Sequence, residues 1–281
     1  MPSDQPFLSR VPRDLTSWAA CFDAATLPVL ATSSAEVEAF RAIEDEVDAH
    51  LLAEAIGGDP LMSLKVMAHL ARLRRGRDIG EVETLTGALI MLGIGPFFAA
   101  FSAQPTVEER LEALPEALAG FHRVLRRSRR AARFAIGFAV HRMDHDAAMI
   151  HDAALLHDFA ELLLWLHAPA LALEVLRRQH ADPSLRSATA QREVLNVDLA
   201  ELQHRLMQEW RLPSLLVAIA DERAQRVSPR LTNIRVAIRV ARHSSDGWDN
   251  PALPDDFSEI GALLQLGSTH VERLVRDIDA D

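Results

Sequence analysis

The chain has 281 residues, 49% of them apolar, a net charge of −10, one cysteine and a single lysine among its 30 lysine and arginine residues. That length and apolar share suffice to bury a core as one large domain or two small ones, and exclude an extended disordered chain. The acidic balance excludes a generic nucleic-acid binder, which needs a basic footprint to displace counterions, and the lone Cys21 excludes a disulfide framework or thiolate zinc site and fits a reducing cytoplasm.

Residues 1–25 carry Pro2, Pro6 and Pro12 without a sustained period. They read as a leader in which Leu15, Trp18 and Phe22 make one short docked helix. Asp4 and the lack of a continuous apolar run argue against a secretory signal. From Leu27-Pro28 the pattern turns helical. Ser33-x-x-Glu36 has the form of a capping box, and Val37, Phe40, Ile43 and Val47 recur at helical spacing. Leu51, Leu52, Ala55 and Ile56 make the next apolar face, stopped by Gly57-Gly58. Asp59-Pro60 supplies an N-cap and a first-turn proline for a helix bearing Leu61, Leu64, Ala68 and Ala71, with Gly76 as its stop.

Residues 84–107 hold no charge, and their length alone suits a membrane span. Gly93, Gly95 and Pro96 interrupt them, so two buried helices are expected instead, one of them over 82–92. Thr106-x-x-Glu109 caps a short helix, and Pro115 opens a long one to about residue 142, with Leu118, Phe121, Leu125, Ala132 and Ala135 inward. The same helix carries Arg123, Arg126, Arg127, Arg130 and Arg133 at i, i+3, i+4, i+7 and i+10. Such a stripe either grips a phosphate or an acidic partner, or is a solvated face paired to acids elsewhere.

The next helix is expected to start at Asp144 or Asp146 and to run unbroken to Pro169. On a period of 3.6, His157, Asp158, Glu161 and Trp165 share one side, while Met149, Leu156, Phe159 and Leu163 face the core. An imidazole and carboxylates one turn apart can approach a common divalent ion, yet two or three ligands do not complete a site. A solvated polar face is the competing reading. His141, His145, His151 and His167 are expected to be structural or exposed, His167 as an imidazolium near the helix end, and Asp152 to hydrogen-bond a neighbouring helix. Helices follow over 170–180 and 187–195, then a stripe of Leu199, Leu202, Leu206 and Trp210 broken by Leu212-Pro213. Ser228-Pro229 opens a helix with Leu231, Ile234 and Ile238. A loop over 243–257 anchored by Trp248 leads to helices over 258–266 and 268–278, joined at Gly267. No period-2 strand and no repeat appears, so the class is all-α.

Three separated stretches resemble the HDOD family, bacterial output domains related to HD phosphohydrolases. Asp59-Pro60-Leu61-Met62-Ser63-Leu64-Lys65-Val66-Met67, with Ala88-Leu89-Ile90-Met91-Leu92-Gly93 after it, is similar to the family's first motif pair. Ala154-Leu155-Leu156-His157-Asp158 is similar to its Gly-Leu-Leu-His-Asp signature, and Trp210-Arg211-Leu212-Pro213 to its Trp-x-Leu-Pro. Order and spacing agree over about residues 26–225. The resemblance implies an N-terminal helical layer, 26–113, packed on an HD-like helical bundle, 114–225, with 226–281 as a helical extension on the same domain.

It also implies gaps in the phosphohydrolase ligand set. The place of an early histidine falls on Arg127, beside Ser128, and His122 lies more than a turn away. Asp221-Glu222 stands where relatives often carry a His-His pair, residues 240–243 offer no distal aspartate, and a Gly-Tyr-Pro element is absent because there is no tyrosine. Two-metal hydrolysis needs both ions fully held, and a guanidinium at a ligand position repels them. No catalytic residue, cofactor or metal is therefore expected; an ion, if held, falls to His157 and Asp158. Arg127, Glu161, Asp221 and Glu222 are expected to make polar contacts at the vacated site, with Arg127 paired to Asp158. The function implied is a non-catalytic cytoplasmic signalling or regulatory module that binds other signalling proteins, with no nucleic acid or membrane as partner and the oligomeric state open. The alternatives are a metal-dependent phosphohydrolase of a nucleotide or cyclic dinucleotide, and a nucleotide sensor that binds through the arginine stripe without cleavage.

Overall fold

A computed structural model describes residues 6–75, 82–182, 184–220 and 228–280. The helices in chain order are α1 Leu15–Ala19, α2 Ala31–Arg41, α3 Ala49–Ile56, α4 Pro60–Leu73, α5 Leu85–Leu92, α6 Ile94–Phe101, α7 Val107–Leu111, α8 Pro115–His141 and α9 Ala147–Leu155. They continue as α10 Phe159–His167, α11 Pro169–Ala181, α12 Ser187–Leu195, α13 Leu199–Glu209, α14 Ser214–Ala220, α15 Pro229–His243, α16 Leu253–Leu264 and α17 Ser268–Ala280. No strand occurs among the described residues; an isolated bridge joins Val29 to Thr106. The fold is all-α, as expected. No single helix among the described residues is long and apolar enough to cross a membrane.

Two units partition the chain: residues 1–124 with 158–217, and residues 125–157 with 218–281. The first takes the whole expected N-terminal layer with part of the expected bundle, and the second takes the rest of that bundle with the C-terminal extension. In the first unit the local signals set several boundaries. The Asp59 carboxylate accepts the N–H groups of Leu61 and Met62 at 2.9 and 3.1 Å, so α4 begins where its cap and proline require. Thr106 and Glu109 close the expected capping box on α7. Gly93 takes a φ of 84° between α5 and α6, a backbone state open to glycine, and so divides the uncharged stretch. The leader is tied down where Trp18 Nε1 donates to the Leu195 carbonyl at 2.8 Å.

Other boundaries are set from a distance and correct the expectations. Helix α2 starts at Ala31, before Ser33, because the Leu30 N–H donates to Asp59 at 2.8 Å and the Ala31 N–H to Glu108 at 2.9 Å. Those remote carboxylates cap the helix, and Ser33 is buried inside its first turn rather than forming a box with Glu36. Ile43 falls outside α2 and is 45% exposed. The expected helix through His157-Asp158 is two helices with a break at 156–158. One straight helix has a single core face, whereas every α10 side chain but Glu161 is buried. Trp165, expected beside Asp158, is one of these; a Cβ at Gly120 of α8 stands 2.4 Å from its ring, so glycine makes room for the indole.

The second unit holds the rest of α8 with α9 and α15 to α17. Asn233 donates to the Ala135 carbonyl at 3.1 Å, Arg142 to the Leu263 carbonyl at 3.0 Å, and Ile278 lies where a Cβ on Gly137 would fall. Helix α16 begins at Leu253, inside the expected loop, with Pro254 in its first turn. Trp248 does anchor the shortened loop: the guanidinium of Arg276 lies 4.8 Å from its ring centre.

Candidate functional site

The His-Asp signature sits at a junction. Leu156, His157 and Asp158 fill the break between α9 and α10, with His157 and Asp158 half-buried and Leu156 fully buried. Asp158 stands at the N-cap of α10, but its carboxylate does not cap it; the Ala160 N–H is met by Gln203 Oε1 of α13 at 3.3 Å. The Asp158 carbonyl accepts from Glu161 and Leu162 at 3.1 and 3.3 Å. Phe159 then stacks on Trp210 with ring centres 5.6 Å apart, bringing the second and third family-like motifs together. The division between the two units falls between His157 and Asp158. Among the described residues no three His, Cys, Asp or Glu side chains are grouped to hold a metal ion, so the described part of the signature does not by itself fit a metal. Asp221 and Glu222 lie outside the described residues. Arg127 belongs to the second unit and Asp158 to the first.

The arginine stripe of α8 is not uniform. Arg123, Arg126 and Arg133 are exposed, Arg127 and Arg130 half-buried. Arg130 makes a bidentate pair with Asp279, at 2.7 and 2.9 Å, and donates to the Ser244 carbonyl and hydroxyl at 3.1 and 2.9 Å. Arg133 approaches the same carboxylate at 3.7 Å. Two members of the stripe thus hold α17 in place.

The histidines divide as well. His151 Nδ1 lies 3.1 Å from the carboxylate of the neighbouring, buried Asp152. His167 ends α10 but is not the expected imidazolium: burial, with Arg110 adding repulsion, pulls its pKa down to about 4. The neutral ring meets Phe22 edge-on with centres 5.1 Å apart.

The first family-like motif carries the most unusual electrostatics. Asp59 is buried, and burial raises its pKa against the pull of the Leu30, Met62 and Leu61 N–H groups and the Ser33 hydroxyl. Two turns along α4, the buried Lys65 ammonium donates to the Leu27 carbonyl at 2.5 Å and to Gln104 Oε1. Burial lowers its pKa to about 8, opposed by attraction to Asp59 and Asp23. Lys65 was expected as a motif member, and Trp210 as a motif member and the end of an apolar stripe; in the structure both line one cavity of about 500 Å³ in the first unit. One signal for it does stand in the sequence: Lys65 is the only lysine in a chain that otherwise uses arginine.

Residues 27–225 match the family model of the HDOD domain. The fold is similar to the MmoQ response regulator of Methylococcus capsulatus str. Bath, at 19% identity, covering 91% of this chain and 99% of that one, with a TM-score of 0.67. It is also similar to a virulence factor of Campylobacter jejuni subsp. jejuni, at 16% identity, 94% and 98% coverage and a TM-score of 0.62. No curated protein sequence matches.

Proposed function

Because this chain belongs to the HDOD domain family, we propose that it is a non-catalytic signalling module that works by binding other proteins. The observation that carries this reading is Arg127, at the place in α8 where resemblance to active HD phosphohydrolases calls for a histidine. A guanidinium stays charged at every accessible pH and repels a second cation, so a dinuclear centre has no footing there. His157 and Asp158 then remain as architecture at the α9–α10 junction. The description of the similar Methylococcus protein as a response regulator agrees with a signalling role. A nucleotide sensor working through the α8 stripe is the weaker reading, since Arg130 and Arg133 already meet Asp279.

Metal analysis and turnover assays test the proposal. The purified protein is expected to carry no stoichiometric manganese or iron and to leave nucleotides and cyclic dinucleotides intact, while His157→Ala and Asp158→Ala variants still form its protein complexes. Stoichiometric metal, together with turnover lost in either variant, overturns it in favour of a phosphohydrolase.

A further inference from the structure

The cavity of the first unit is walled by α4, the turn at 23–25, the end of α6 with Gln104, and the segment 209–211 after α13. Its charge runs against that of the chain. The protein as a whole stands at −10, yet Lys65, Arg72, Arg75 and Arg211 face this cavity against only Asp23 and Glu209. Both carboxylates are already engaged: Glu209 accepts from Arg205 at 2.6 Å, and Asp23 accepts the Ala25 N–H at 2.9 Å. None of the three arginines meets a carboxylate among the described residues. Arg72 touches His69 Nδ1 at 3.2 Å, and burial keeps that ring toward its neutral form, with Arg72 adding to the effect.

Arg211 shows a local conflict. Helix α13 ends with the Leu212 N–H donating to the Met207 carbonyl at 2.9 Å, which places Arg211 in the left-handed region at φ 53°. Glycine or asparagine suits that position, and a side chain there is strained. The wall also presents Trp210, one face of which is covered by Phe159.

From these features we infer that the cavity binds a small phosphorylated molecule of nucleotide size, its phosphate held by Arg72, Arg75 and Arg211 and its ring system set against Trp210. The volume of about 500 Å³ suits a ligand of that size. Guanidinium forks match phosphate oxygens in pairs, and the Lys65 ammonium adds positive potential from the wall without giving up its own bonds. The seat is lined by residues of the first unit, and no arginine of the α8 stripe is among them. Its occupancy is independent of the partner-binding reading, so either proposal can fail alone.

The single lysine makes the test direct, because protein labelled with ¹⁵N-lysine gives one backbone amide resonance from the cavity wall. Titration with the four common nucleoside 5′-monophosphates is expected to shift that resonance saturably for at least one of them, while the corresponding nucleoside and inorganic phosphate bind more weakly. Arg72→Ala/Arg75→Ala is expected to weaken binding tenfold or more, from the loss of charge-assisted hydrogen bonds. Arg211→Gly is expected to do the same while raising the melting temperature, which separates lost contact from lost folding. Arg123→Ala/Arg126→Ala leaves binding unchanged. No saturable shift with any mononucleotide overturns the inference. So does binding that survives Arg72→Ala/Arg75→Ala, or binding lost only when Arg123 and Arg126 are replaced.

Discussion

The two units differ in how they bury charge, although the buried Asp198 of the first does pair with Arg192. In the first, Asp59, Lys65 and His167 are all buried with no direct ion pair: Asp59 and Lys65 rely on N–H, hydroxyl, carbonyl and amide partners, and the Nε2 of His167 has no partner among the described residues. In the second, the half-buried Asp279 and the buried Asp256 both meet cations. Arg130 clasps Asp279, and Asp256 accepts from Arg239 at 3.1 Å and lies 2.6 Å from His243 Nδ1. Burial without a contacting opposite charge favours the neutral form, so Asp59, Lys65 and His167 answer to pH. Direct pairs keep their charges and answer to salt, within the screening that their partial exposure allows.

The largest effect that can break this contrast is expected from Asp59→Ala. The change removes the cap of α4 and strands the buried Leu30 N–H at once, and should cost about 4 kcal/mol. Urea unfolding measures it, and a loss below about 1 kcal/mol would show that the carboxylate is not holding the N-terminal layer.

Acid should act next. His167 titrates at about 4 in the folded chain against an ordinary value of 6.5, so between those values the unfolded chain binds the extra proton. Its contribution is fully present above pH 6.5 and falls as pH is lowered toward 4, by about 3 kcal/mol in all. His167→Phe should flatten that part of the stability profile. An unchanged profile places the acid sensitivity elsewhere.

Arg130→Ala should cost about 2 kcal/mol, since the pair with Asp279 is only partly exposed. Unlike the His167 effect, the loss should shrink in high salt and hardly change between pH 5 and 8. A cost that ignores salt removes the distinction between the units.

What was legible in the sequence was local. Asp59-Pro60 and Thr106-x-x-Glu109 carry their helix starts within four residues, and both helices begin there. Ser33-x-x-Glu36 has the same form and fails, because Asp59 and Glu108, 29 and 77 residues away, take the Leu30 and Ala31 N–H groups and start the helix before Ser33. The break after Leu155 was hidden for a related reason. Periodicity assumes one core face, while α10 is enclosed almost all round, so the side of His157 and Asp158 did not follow from a straight helix. The cavity draws on residues 23, 65, 104 and 211, and no window of sequence holds them together. Only the isolation of Lys65 in an arginine-rich chain pointed toward it.

Because Lys65 is that single lysine and is 3% exposed, an acylating reagent too large to enter the cavity meets its ε-amine only while this part of the chain is open. An acyl group found on Lys65 therefore records a past opening of the first unit. The rate at which such groups accumulate under native conditions is a clock for local unfolding that needs no engineered probe.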